Sequence, residues 1–198
     1  MLGLIFISVP LYFRFAGNQR NEQMIQEFQK IVEEKEHEEE QEEDGQEAPE
    51  AALSEEDAAT LAKAEVIGLI EIEKLDIKYA VLEGADSYDL SCGIGHIPDT
   101  AGIGESGNCV LAGHRGSRYG TYFKYLNQLE EGDVIKLTDK EGEQFFYEVE
   151  SMEVVGPYDN SVKDQGEDTI LTLLTCENNG TMRLIVKCSV LENLSAYE

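Results

Sequence analysis

From Val66 onward the sequence is cut into short runs of β-forming residues by Gly, Pro, Asn and Asp, and this texture leaves few folds open. Seven runs read as strands: 66–72, 77–82, 108–113, 134–138, 144–155, 170–175 and 182–191. In the fifth, Phe145, Tyr147 and Val149 alternate with Phe146, Glu148 and Glu150. In the last, Leu184, Val186, Cys188 and Val190 share one face while Arg183, Ile185, Lys187 and Ser189 share the other. A period of two puts alternate side chains on opposite faces of a sheet. Residues 122–129, with Phe123, Leu126 and Leu129 three apart, read as one short helix. Short strands at this spacing predict a mainly β domain, a closed or nearly closed barrel with one or two short helices. No internal repeat is visible.

The first 65 residues have a different character. Residues 2–13 are apolar apart from Ser8 and the breaker Pro10, and Arg14 ends the run. About 20 residues are needed to cross a bilayer core, so the run is expected to be the tail of a signal peptide or signal-anchor whose beginning is missing. Residues 1–19 are assigned to that partial transmembrane segment, and 20–65 to an acidic stalk, helical or disordered. Met24, Phe28 and Ile31, with Ile25 and Val32, fall at helical spacing and predict one apolar stripe. From Glu33 a Glu-rich block takes over, a solvated stretch in which His37 is an exposed histidine among carboxylates. Ser54-Glu55-Glu56-Asp57 then resembles a capping box for a short helix over 58–64.

Charge narrows the partners. The chain holds 41 Asp and Glu against 15 Lys and Arg, a net charge of −26. Of these, 17 acids and 5 bases (net −12) precede Val66, and 24 acids and 10 bases (net −14) follow. Nucleic acid is excluded as a partner, because its phosphates are bound by Lys and Arg. Docking on anionic lipid through a broad basic face is disfavoured too, and the acidic stalk is expected to hold the domain off such a membrane.

The four cysteines include no C-x-x-C pair, so zinc-ribbon and thioredoxin-type sites have no support. Cys109 and Cys188 lie in apolar strand runs, where a thiol behaves as a small hydrophobe, and they are expected to be free and buried. An even cysteine count in an exported protein leaves disulfides open. Cys176 is placed differently. It ends the run 169–175 and precedes the loop Glu177-Asn178-Asn179-Gly180, anchored on one side and accessible on the other, as a nucleophile must be. His114 likewise follows the apolar run Cys109-Val110-Leu111-Ala112-Gly113, and Arg183 opens the last strand seven residues after Cys176. A strand-end Cys, a strand-end His and a neighbouring Arg make an acyl-transfer set.

These residues carry a family resemblance. Thr172-Leu173-Leu174-Thr175-Cys176 resembles the sortase T-L-x-T-C signature, with Arg183 at the position of the essential arginine. Asn108 to Gly116, containing Gly113-His114-Arg115-Gly116, resembles the sortase histidine motif. Gly93-Ile94-Gly95-His96-Ile97 and the stretch from Phe123 to Ile135 also look like sortase segments. The resemblance covers 66–191 and implies an eight-stranded sortase barrel over 66–198. It implies a membrane-anchored cysteine transpeptidase of the Gram-positive surface, single-pass with its domain outside the cell, needing no cofactor or metal. Its partners would be surface proteins or pilins bearing an LPxTG-like signal, and an amine acceptor, either lipid II or a pilin lysine. In that scheme Cys176 is the nucleophile, His114 the acid and base, and Arg183 the oxyanion stabiliser.

Other roles follow with less to separate them. Thr172 and Thr175 either line the peptide groove or pack as β-branched strand residues. His96, in what reads as a Gly-rich loop, is either structural or substrate-lining. Within the family the Gly-His-Arg-Gly context looks most like class C, yet no Asp-Pro lid anchor occurs in 1–65, so class D stays open. A calcium site of the class A kind yields to a solvated acidic surface as the reading of the acids. The reading from a different class is a non-catalytic surface module that presents a peptide groove, with the acidic stalk binding a partner.

Overall fold

The computed structural model describes residues 2–42, 65–116 and 119–191. One long helix, α1 (Leu2–Glu42), precedes the barrel. β1 (Val66–Ile72) and β2 (Ile77–Glu83) form an antiparallel hairpin. A single-turn helix, α2 (Asp89–Cys92), leads into β3 (Ile94–His96), which runs parallel to the second half of β2. β4 (Gly107–Ala112) returns antiparallel to β3. β5 (Val134–Asp139) and β6 (Gln144–Val155) form a second hairpin, and β7 (Thr169–Glu177) and β8 (Met182–Val190) a third. The strands close in the order β1-β2-β3-β4-β7-β8-β6-β5, with β5 back on β1. Closure removes the unpaired edges that an open sheet of this size would expose.

All seven expected strands are present, and β3 makes the eighth. Three residues around Gly95 are too few to show alternation, so β3 reads as loop in the sequence. His96 is therefore a strand residue. The helix expected over 122–129 contracts to a 3₁₀ turn at Leu126–Gln128. Phe123, Leu126 and Leu129 are all buried, although only Leu126 lies within the 3₁₀ turn.

The core fills the barrel, with Ile70, Leu111, Leu137, Tyr147, Leu171 and Val186 among its members. β4 is buried at every position. A strand paired in parallel with β7 and covered on both faces has no solvent side, which is why its sequence is continuously apolar around Asn108.

A smaller cluster lies outside the barrel, where Met24 and Phe28 of α1 pack on Leu69, Ala80, Leu82 and Cys92. Met24 and Phe28 are 7% and 4% exposed, whereas Ile31, expected on the same stripe, is 49% exposed. Burying two such side chains contributes about 1.5–3 kcal/mol each. β3 pairs only with Val81–Glu83, which leaves the earlier edge of β2 open. The Asn21 carboxamide fills it: Nδ2 donates to Lys78 O (2.9 Å), and Oδ1 accepts from Ala80 N–H (3.2 Å). Residues of α1 between Arg20 and Lys35 thus touch the barrel, and the helix is continuous through residue 19. No described helix is long and apolar enough to cross a membrane. The capping box at Ser54 and the helix over 58–64 lie outside the described residues.

Candidate active site

β4 and β7 run parallel, and the last pair of their ladder sets Ala112 opposite Leu174. The next residue, Gly113, is held by β7 twice. Its N–H donates to Leu174 O (3.0 Å), and its carbonyl accepts from Thr175 Oγ1 (2.8 Å). A Cβ there would lie 2.7 Å from both Ile94 Cδ1 and Phe123 Cδ2, so the close approach requires glycine. Pinning Gly113 sets His114 level with Cys176, two steps past the last ladder pair. On the other side of β7, Cys176 is the direct antiparallel partner of Arg183. Cys176 and Arg183 are thus cross-strand partners on β7 and β8, and His114, two residues beyond the end of β4, continues their row.

The turn from β7 to β8 makes the second half of that row. Asn178, Asn179 and Gly180 adopt φ of 47°, 55° and 88°, a left-handed stretch that Asn and Gly tolerate best. Arg183 Nη1 donates to Gly180 O and Met182 O, both at 2.9 Å. The expected neighbourhood of Arg183 and Cys176 is present in the backbone, while the guanidinium itself braces the turn.

A pocket of about 560 Å³ opens here, lined by His114, Arg115, Gly116, Cys176 and residues 177–180. The His114 ring meets Tyr122 edge-on, with centroids 6.3 Å apart. Tyr122 is itself fixed, because its hydroxyl donates to Ser91 O (2.7 Å) and its N–H donates to Tyr79 Oη (3.0 Å). Phe123 N–H and Gly116 N–H donate to His114 O, which closes the loop behind the imidazole. Arg115 Nη1 donates to Cys176 O (3.3 Å) and pairs with the Glu177 carboxylate. In the sequence Arg115 counts only as a nearby charge. Its partnership was legible nonetheless, since any register that aligns His114 with Cys176 also aligns Arg115 with Glu177. Arg118 lies outside the described residues.

Three side chains offered as groove-lining face inward. Thr172 is fully buried and donates to Asn108 Oδ1 (2.8 Å). Thr175 is buried and spent on Gly113 O. His96 is buried, with Nδ1 3.1 Å from Glu83 Oε2 and Nε2 2.9 Å from Ala101 O. The hydroxyls of both threonines and both ring nitrogens of His96 thus have partners inside the protein. β-Branched residues at inward strand positions satisfy their hydroxyls locally.

All four cysteines are free, and only Cys176 is partly exposed. Burial pushes the Cys109 thiol up to about 12 and raises that of Cys188 as well, so both stay protonated and unreactive at neutral pH. Among the described residues no group of three or more His, Cys, Asp or Glu is placed to hold a metal ion.

Comparison with known proteins follows the same segment. A family model described as a sortase domain matches residues 70–191. Over 176 residues the chain is 31% identical to "Sortase A" of Bacillus anthracis, covering 89% of this chain and 82% of that protein. Among solved structures, a Clostridium perfringens Sortase D5 transpeptidase superposes with a TM-score of 0.60 at 34% identity, over 70% of this chain and 89% of that one. Group B Streptococcus Pilus Island 1 Sortase C2 gives 0.61 at 31% identity, over 71% and 82%. Matches of that extent, centred on the barrel and the Cys176 row, place the chain in the sortase family of cell-wall cysteine transpeptidases.

Proposed function

We propose that the protein cleaves an LPxTG-like sorting signal after its threonine and transfers the acyl chain to an amine, with Cys176 as nucleophile. The observation that carries this reading is the pairing of Cys176 with Arg183 on β7 and β8 beside His114, just past the end of β4, with a pocket lined by His114 and Cys176. The Cys176 thiolate attacks the threonyl carbonyl carbon. His114, as imidazolium, gives its proton to the departing glycyl nitrogen as the C–N bond breaks, which leaves a thioester on Sγ. The acceptor amine then attacks the thioester, neutral His114 takes its proton, and the C–S bond breaks to restore the thiolate. Arg183 stabilises the oxyanion of both tetrahedral intermediates with a permanent, planar set of donors. For that it exchanges the carbonyls of Gly180 and Met182 for the substrate oxygen.

The acceptor is the amine of lipid II or a pilin lysine, and the donors are surface proteins or pilins that carry the signal. Residues 2–13 attach the chain to the membrane, with the barrel outside the cell. A partly exposed thiol level with an imidazole is superfluous in a module that only presents a groove, so the catalytic reading is preferred to the non-catalytic one. The protein mixed with an LPxTG peptide and a small amine should yield the threonyl amide of that amine by mass spectrometry. Unchanged yield from Cys176→Ala, or a peptide thioester on another cysteine, would overturn the assignment.

A further inference from the structure

We propose that the catalytic end of the barrel faces the bilayer, so that the pocket beside Cys176 opens at the membrane surface. This rests on the membrane attachment through residues 2–13 proposed above and adds an orientation to it. α1 is one helix from Leu2 to Glu42, and the apolar run 2–13 is its first part. Directly after that run the helix is clamped to the barrel. Phe13 packs edge-on against Tyr119, with centroids 5.7 Å apart. Gly17 lies against the Tyr119 carbonyl with no room for a side chain between them. Tyr119 sits in the segment between His114 and Tyr122, the tyrosine whose ring meets His114. Farther along, Arg20 donates to Cys92 Sγ (3.4 Å), Asn21 holds the β2 edge, and Met24 and Phe28 are buried. Lys35 Nζ then donates to Lys140 O (3.1 Å) at the β5–β6 turn. Contacts recurring every three or four residues mean that one face of the helix lies along the barrel throughout.

Two rulers agree on what that face spans. From Phe13 to Lys35 α1 advances roughly 33 Å at 1.5 Å per residue. β6 begins beside the β5–β6 turn and ends at Val155, the partner of Arg183. Its length is roughly 36 Å at 3.3 Å per residue. Both run between the same two ends of the barrel. The His114–Cys176–Arg183 end therefore sits against the apolar start of α1, and the β5–β6 turn lies about 30 Å farther out.

Side-chain chemistry matches this orientation. Tyr12 and Phe15 are 68% and 61% exposed where the apolar run stops, and an amphipathic Tyr suits a membrane interface. Residues 1–21 hold Arg14 and Arg20 and no Asp or Glu. The acidic block begins at Glu33, near the end of α1 that meets the turn bearing Asp139, Glu141 and Glu143. An anionic bilayer attracts the first end and repels the second, so the overall charge of −26 conceals a polarity along the helix. The acidic block lies distal to the membrane and does not serve as a spacer beneath the domain.

The test uses the full chain reconstituted into phosphatidylcholine–phosphatidylglycerol vesicles with an energy acceptor on the headgroups. A donor dye is attached to Cys176, the one partly exposed cysteine, or to Glu143→Cys in a Cys176→Ala background. The dye at Cys176 should be quenched about twofold or more relative to the dye at 143, given the roughly 30 Å between the two ends. Gly17→Leu, which forces α1 away from Tyr119, should shrink that difference while the chain stays on the vesicles. Equal quenching, or stronger quenching at 143, in the vesicle-bound protein would overturn the orientation and leave the attachment standing. A chain that fails to co-sediment with the vesicles would overturn both.

Discussion

The strands β4, β7 and β8, with the residues just past the end of β4, carry two rows that follow one backbone register and differ in everything else. In the middle of the barrel, Cys109 pairs with Leu171 and Leu171 with Cys188. Near the end of the same strands lie His114, Cys176 and Arg183. The inner row is sealed in the core, and burial holds its two thiols protonated. The outer row lies where β4 has stopped and β7 is about to turn, so Cys176 keeps a rigid strand behind it and an open pocket in front. Five positions along a strand separate an inert cysteine from the proposed nucleophile. Strand position, more than residue type, decides which thiol can react.

The sharpest way to break this contrast is to exchange the thiols' fates by mutation. Cys176→Ala should abolish transpeptidation, while Cys109→Ala and Cys188→Ala should keep it and lose stability only. In native buffer, iodoacetamide should modify Cys176 alone, and denaturant should expose the other three; modification of Cys109 or Cys188 in the folded protein would erase the distinction between the rows. His114→Gln comes next. It keeps a planar polar side chain but cannot shuttle a proton, and should lower kcat/KM by about 10²–10⁴-fold. The variant should also flatten the pH profile of turnover. Loss of substrate affinity with kcat intact would instead make His114 a binding residue.

Thr175→Val is a finer probe, because the hydroxyl is buried and donates to Gly113 O. Loss of its bond to Gly113 O should cost about 1 kcal/mol of stability. It should also loosen the step that sets His114 level with Cys176. The expected signature is a lower kcat with KM unchanged, and Thr175→Ser should restore it. An equal loss from Thr172→Val, whose hydroxyl reaches Asn108 in the sealed interior, would show that any buried threonine matters and that the register at Gly113 is not special.

What the residues alone disclose follows the same division. Alternation in β6 and β8 and the unbroken apolar runs of β4 and β7 are local signals, so those strands and Cys176, His114 and Arg183 could be named before any geometry was known. Three-residue β3 has too little pattern to announce itself, so His96 reads as loop. The inward turn of Thr172 and Thr175 was invisible because a threonine's neighbours depend on pairing between distant strands. The docking of α1 leaves little trace in the sequence for a related reason. Its docking face includes Gly17 and Asn21, which carry no hydrophobic signal, yet one permits close approach and the other fills an open strand edge. The bracing of the turn by Arg183 likewise depends on which carbonyls the Asn178–Gly180 turn presents.

The smallest effect tests the inner row from the opposite direction, through pH. The Cys109 thiol is raised from 9.0 to about 12 by burial. Its protonated form is thus favoured in the folded state, and the thiol ionises first in the unfolded chain. The contribution to stability is complete below about pH 9 and fades as pH climbs toward 12. Tyr147, also pushed up to about 12 by burial against the same core, adds to this alkaline loss. Thermal melts should therefore decline above pH 9, and Cys109→Ala, though less stable at neutral pH, should decline less steeply. Parallel slopes for the two proteins would mean that Cys109 ionises with equal ease folded and unfolded, and the contrast between a sealed row and an open one would then rest on reactivity alone.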